Sequence, residues 1–163
     1  MIVLDFNKYS ISEIIKRLGA DLAQTSFGKE ILSFLEEWNT GREKFIIKSS
    51  GTTGSIKEID FSRASFEESA KITIKTFNLK EDSILISALP LSFVAGKMMI
   101  VRAIMAKCQV LLFEPQANPI KKLKIHSSFA AFTPYQLQHI LRDSADKLAM
   151  IDIVIIGGSK VDN

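Results

Sequence analysis

Apolar residues recur at helical spacing twice near the start of the chain. Ile11, Ile14, Ile15 and Leu18 fall on one stripe, with Ser10 placed to cap a helix and Gly19 to stop it. Phe27, Ile31, Phe34, Leu35 and Trp38 form a second stripe, capped by Thr25 or Ser26. Gly41 breaks that pattern, and the Ile-rich run 44–48 (KFIIK) has the composition of a strand. Beyond 49–57, the segment EIDFS alternates Ile59 and Phe61 with polar neighbours, and a helix is predicted over 64–77. The remainder alternates strand 83–88, helix 95–106, strand 109–113, a proline-punctuated loop, strand 128–132, helix 134–142 and strand 151–156. Each crossover helix must cover a sheet face, so this order predicts an α/β class, a layered and largely parallel sheet flanked by helices. No repeat of fixed period is present.

Composition narrows the function classes. With 163 residues, 47% of them hydrophobic and 24% charged, the chain has globular composition and can bury a core of domain size. A net charge of +3 is too small and too evenly spread to argue for a nucleic-acid partner. Cys108 is the sole cysteine, which excludes an internal disulfide and a multi-cysteine metal cluster, and its apolar surroundings over 108–113 make it a small buried hydrophobe. His126 and His139 show no zinc-site spacing, so no metal held by side chains is expected. Asp5 and Lys8 interrupt the short apolar run at the N-terminus, and Pro90, Lys97, Arg102 and Lys107 break the stretch 84–112. The expectation is therefore a soluble, cytoplasmic protein without a membrane span.

The chemistry-bearing segment is Ser49-Ser50-Gly51-Thr52-Thr53-Gly54-Ser55-Ile56-Lys57, nine residues containing five hydroxyls, two glycines and a lysine. Glycines let backbone N–H groups approach an anion, hydroxyls donate further hydrogen bonds and an ammonium adds full charge, so polyphosphate is a natural ligand. It is not a Walker A loop, because the lysine runs into the strand-like EIDF instead of a helix. Composition alone leaves two readings open, an anion-binding loop and a Ser/Thr/Gly-rich hairpin turn.

The order of residues resembles the phosphate-binding signature of the adenylate-forming superfamily, which includes acyl-CoA synthetases, luciferases and peptide-synthetase adenylation domains. That signature ends in Pro-Lys, and here Ile56 stands in the proline position. The segment LPLSFVAGKMMIVRAIMAKCQVLL, Leu89 to Leu112, is similar to the superfamily's second block, with Phe93 at its aromatic-or-His position. GKMMIVRA is especially similar to o-succinylbenzoate-CoA ligases of menaquinone synthesis. FTPYQLQHIL and IVIIGG resemble the later helix and the adenine-side Gly-Gly strand end. The resemblance runs from about Glu30 onward.

The resemblance implies a ligase that adenylates a carboxylate with ATP and then forms a thioester with CoA, using Mg²⁺ and a small carboxylic acid, o-succinylbenzoate. By position, Ser49, Ser50, Gly51, Thr52, Thr53, Gly54 and Lys57 would hold the β- and γ-phosphates, with Lys57 the catalytic candidate. Gly157 and Gly158 would let backbone approach the adenine, and Phe93 would line the acyl pocket. Arg102, or failing it Lys97, would counter the carboxylate that does not react; the alternatives are a core phenylalanine and structural ion pairs. The expected organisation is an incomplete AMP-binding N-terminal domain over 1–163. It comprises a helical lead-in, 1–40, and a nucleotide-binding α/β part, 44–163, with no C-terminal lid domain. A Tyr-Gly-x-Thr-Glu segment and a ribose-binding Asp are not found, and the ending GGSKVDN reads as a cut, so the chain alone is expected to be nearly inactive. The rival expectations are another acyl- or aryl-CoA synthetase, a non-catalytic nucleotide- or anion-binding module, and a fragment that forms homo-oligomers through an exposed sheet edge.

Overall fold

The computed structural model describes residues 1–50 and 56–158, including all their side chains except those of residues 49, 50, 56 and 57. The elements in order are β1 (Ile2–Asp5), α1 (Ile11–Leu22), α2 (Ser26–Asn39), β2 (Lys44–Ser50), β3 (Ile56–Ser62), α3 (Arg63–Thr76), β4 (Ile84–Ser87), α4 (Val94–Ala106), β5 (Gln109–Leu112), β6 (Ser127–Phe132), α5 (Pro134–Asp143), α6 (Ala145–Leu148) and β7 (Ile151–Ile156). Five strands form one sheet in the order β1-β5-β4-β6-β7, all parallel except the antiparallel β1 at one edge.

Side chains alternate across this sheet and define two cores. Leu85, Val110, Leu112, Phe129 and Ala131 face α1, α2, α3 and α4. Ile86, Leu111, Ala130 and Phe132 face the opposite way, toward Ile140 of α5 and toward Ile120 and Leu123 of the β5–β6 connection. Helices therefore cover both faces, as the alternation of strand and helix patterns requires.

Three features depart from the sequence expectation. Residues 2–5 form β1, which pairs with β5 from Ile2↔Leu112 to Asp5↔Gln109, so the lead-in is part of the sheet and not helical alone. Gly19 does not stop α1, which continues to Leu22 after starting at the predicted cap, Ser10. β2 and β3 form an antiparallel hairpin of their own, outside the main sheet.

That hairpin is fastened by aromatic packing. Phe45 of β2 is fully buried and stacks on Trp38 at 5.4 Å between centroids, with Phe34 and Phe66 each 5.6 Å away. Phe61 of β3 meets Phe66 of α3 edge-on at 4.5 Å. Its backbone tie to the segment after β4 is at Lys48, whose N–H donates to the Ser92 carbonyl at 2.8 Å and which forms a parallel bridge with Phe93.

α4 is apolar nearly all round, with Met98, Met99, Ile100, Val101 and Ala103 buried, as expected of a helix enclosed between α3 and the sheet. Its first turn passes directly beneath the Leu89–Pro90 backbone: a Cβ on Gly96 would stand 2.3 Å from the Pro90 carbonyl oxygen. Gly19 differs, because a Cβ there would meet only the Leu32 Cδ1 at an ordinary 3.7 Å. Urea unfolding should therefore show Gly96→Ala destabilised by about 1–3 kcal/mol through overpacking. Gly19→Ala should gain roughly 0.5–1 kcal/mol from helix propensity.

Candidate active site

Parallel α/β sheets bind ligands outside the carboxyl ends of their strands, where the loops leave room and backbone groups are free. Here those ends belong to β5, β4, β6 and β7. After β4 the chain passes through Ala88 and the Leu89–Pro90 turn to Phe93, the N-cap of α4. After β6, Thr133 caps α5, its hydroxyl accepting from the Gln136 N–H at 3.2 Å. After β7 come Gly157, which donates to the Phe132 carbonyl at 3.2 Å, and Gly158, whose φ of 95° suits glycine. Both glycines are exposed, and a Cβ on Gly157 would meet nothing within 4 Å. The described backbone at the end of β7 is thus exposed.

The hydroxyl- and glycine-rich segment connects β2 to β3. Ser49 pairs with Lys57 and Ser50 with Ile56, so Ile56, standing at the proline position of the signature, belongs to the ladder. Gly51, Thr52, Thr53 and Gly54 lie outside the described residues, as do the side chains of Ser49, Ser50 and Lys57. β2 and β3 are the two strands of an antiparallel stem, and the docking of Lys48 on Ser92 and Phe93 roots that stem beside the loop that follows β4.

Phe93 is half-buried and belongs to neither hydrophobic core, so it is not an ordinary core phenylalanine. Lys97 and Arg102 are about 140° apart around α4 and do not converge. The Lys97 ammonium sits 4.9 Å from the Phe34 ring centroid and lines a cavity of about 380 Å³ with Glu30, Glu37 and Ser92. Burial pushes its pKa down, and Glu37 and Glu30 oppose that shift. Arg102 turns to the sheet, its guanidinium 5.8 Å from the Phe129 ring and its Nη1 donating to Met99 Sδ at 3.2 Å. Its Nε has no partner, and burial alone pushes its pKa down to about 10. At neutral pH it is a charged, desolvated group with no carboxylate among the described residues to neutralise it.

The remaining candidates behave as structural or surface groups. Cys108 is fully buried, its thiol pushed up to about 12 by burial and then by Asp5. His126 faces Asp152 at 3.2 Å on the surface, and His139 lies 3.0 Å from the Arg142 guanidinium. Lys121, Lys122 and Lys124 are exposed around buried Leu123, a solvated face. Among the described residues no group of three or more His, Cys, Asp or Glu could hold a metal ion, and no helix is long and apolar enough to cross a membrane.

Sequence reasoning passed over Gln136. It is 5% exposed, and its amide reaches the ends of three strands: Oε1 accepts from the Thr133 N–H at 3.0 Å, while Nε2 donates to the carbonyls of Ala88 at 2.9 Å and Gln116 at 3.2 Å. The signal available in FTPYQL was the Thr-x-x-Gln capping box, which the structure contains.

No protein-family model and no curated protein matches the chain. Among solved structures, it is similar to an acyl-CoA synthetase (AMP-forming)/AMP-acid ligase II-like protein from Dyadobacter fermentans, with 31% identity and a TM-score of 0.78 over 86% of this chain and 41% of that one. MatB from Rhodopseudomonas palustris, solved with ATP bound, matches at 20% identity and a TM-score of 0.60 over 71% of this chain and 24% of that one. The o-succinylbenzoate coenzyme A synthetase from Bacillus subtilis, solved with AMP, matches at 18% identity and a TM-score of 0.60 over 72% and 25%. The last two likenesses show the fold alone. The structural neighbours are AMP-forming acyl-CoA synthetases, and the fold matches part of an adenylate-forming ligase domain. The chain spans about two-fifths of the length of the first neighbour and a quarter of the others.

Arg102→Met should leave the urea midpoint unchanged or raise it, because the substitution removes a desolvated charge without breaking an ion pair. A loss of several kcal/mol would instead identify the guanidinium as a structural anchor.

Proposed function

We propose that this chain carries the phosphate- and acid-facing part of an AMP-forming acid–CoA ligase, within the N-terminal domain of such an enzyme, with 44–163 its nucleotide-binding part. The observation that supports the reading is the docking of the β2–β3 stem, at Lys48, on Ser92 and Phe93, which follow the carboxyl end of β4 in a mainly parallel sheet. In that reaction a carboxylate oxygen attacks the α-phosphorus of ATP, the bond to the β-phosphate breaks and pyrophosphate leaves. The CoA thiolate then attacks the acyl carbon and AMP departs.

Catalysis of this kind rests on positioning reactants and stabilising charge. Backbone N–H groups and hydroxyls of 49–54 hold the β- and γ-phosphates, and the Lys57 ammonium offsets charge as pyrophosphate forms. Mg²⁺ would accompany the triphosphate and offset its charge. The open backbone at Gly157 and Gly158 receives the adenine edge, and Phe93 walls the acyl group. Arg102 takes the second carboxylate of a dicarboxylic acid such as o-succinylbenzoate, the counter-charge its half-buried guanidinium lacks among the described residues. Lys97, on another side of α4 and already facing Glu30 and Glu37, is not assigned that role. Full turnover needs groups beyond those found in this chain.

Calorimetric titration of MgATP into the chain should show saturable binding that disappears when Lys57→Ala is combined with Thr52→Ala and Thr53→Ala. No binding by the parent would remove the nucleotide role from this chain. Arg102→Met should weaken the adenylate analogue of a dicarboxylic acid by about ten- to a hundredfold and leave that of a monocarboxylic acid unchanged, the size expected for losing a charge-assisted hydrogen bond.

A further inference from the structure

Gln136 does more than cap α5. A capping box needs one side-chain acceptor for the N-cap N–H, which glutamate supplies as well as glutamine. Thr133 N–H is that donor, and Gln136 Oε1 accepts it at 3.0 Å. The other two partners, the carbonyls of Ala88 and Gln116, can only accept. An amide is the group of this size that offers an acceptor on one branch and two N–H donors on the other, so the links to Ala88 and Gln116 select glutamine where capping alone does not. At 5% exposure water is not a ready substitute, and losing these bonds leaves buried carbonyls unsatisfied.

Two of the three partners, Ala88 and Thr133, lie where the two walls of the candidate site begin. Ala88 leads into the Leu89–Pro90 turn, which is wedged against Gly96 and continues to Ser92 and Phe93, where the hairpin stem docks. Thr133 starts α5, and a Cβ on Gly158 would come within 3.9 Å of its methyl group, so its position borders the Gly-Gly end of β7. Gln116 lies in the connection after β5. One buried amide thus joins the acyl-side wall, through Ala88, to the nucleotide-side wall, through Thr133.

We propose that Gln136 is a positioning residue that fixes the spacing between the Phe93 wall and the Gly157–Gly158 wall, so that an acyl-adenylate fits both at once. This rests on the ligase reading of the site. It makes a prediction that a purely structural role does not: ligands spanning both walls depend on Gln136, whereas ligands held by one do not.

Gln136→Glu keeps length and capping but turns an acceptor toward the Ala88 and Gln116 carbonyls. Folding is checked by circular dichroism and urea unfolding, and affinities for AMP and for a non-hydrolysable acyl-adenylate analogue are measured by calorimetry at a temperature where parent and variant are fully folded. The expected result is a loss of about tenfold or more for the acyl-adenylate analogue, which must fit both walls at once, with AMP changed by less than about threefold. Lowering the pH from about 8 to about 5 should narrow the gap between variant and parent, because the introduced carboxyl, once protonated, regains a donor. If Gln136→Glu does not fold, Gln136→Met, which adds no charge, is measured in the same way. Unchanged analogue affinity in a folded variant, or equal losses for AMP and the analogue, overturns the positioning role. A parent chain that binds neither ligand overturns the ligase reading itself, and the positioning role falls with it.

Discussion

Aromatic packing around Phe45 is the contact on which the geometry of the candidate site depends. The β2–β3 hairpin shares no ladder with the main sheet, so its place is decided by side chains. Burying one phenylalanine contributes about 1.5–3 kcal/mol, and a well-placed aromatic pair adds about 0.5–1.5 kcal/mol. Phe45 engages Phe34, Trp38 and Phe66 together, while the Lys48 N–H to Ser92 bond contributes only about 0.5–1.5 kcal/mol. Packing sets where the stem sits, and the hydrogen bond sets its register against the loop after β4. Arg63 closes the cluster, its guanidinium 4.1 Å from the Trp38 ring and its Nη1 donating to the Trp38 carbonyl at 3.0 Å. Residues of α2 and α3 that touch no expected ligand are therefore part of the foundation of the β2–β3 stem.

The second constraint is the enclosure of α4. A helix whose residues 98–101 are all buried cannot leave every long side chain in bulk water, and Arg102 is drawn along the sheet face toward Phe129. A core selected for stability alone would be better served by an apolar residue there, since a half-buried charge with no ion-pair partner among the described residues loses hydration without compensation. Local rules are most often broken at functional sites. The breach falls on the residue that the ligase reading gives a charge to answer, which is why Arg102 and not Lys97 carries that assignment.

Elements whose hydrophobic period is strong were legible in the sequence. α2, α4 and the four parallel strands lie close to where their patterns put them, because burial on one or both faces dictates both pattern and element. β1 was not legible: four residues carry no usable period, and their strand character comes from pairing with Gln109–Leu112, more than a hundred positions away. Gly19 was misread as a stop because glycine only weakens a helix by about 1 kcal/mol, less than the packing of α1 on α2 returns. The divergence of Lys97 and Arg102 follows from helical geometry and could have been read from their spacing. The Gln136 links could not, since nothing in FTPYQL reveals which carbonyls lie above the helix start.

The two walls of the candidate site are held by forces of different kinds, and this bears on how the site can work. The hairpin side rests mainly on non-directional apolar contact, with a single backbone hydrogen bond from Lys48 to Ser92, and tolerates small displacements so long as Phe45 stays covered. The Gly157–Gly158 side rests on ladder hydrogen bonds and on the Thr133–Gln136 cap, which are directional and lose strength when angles change. Under the proposed ligase reading, a reaction that binds a triphosphate, expels pyrophosphate and retains an adenylate would need give at the stem and constancy at the Gly157–Gly158 end. That distribution of soft and stiff contacts follows from which residues bury aromatic rings and which bury an amide.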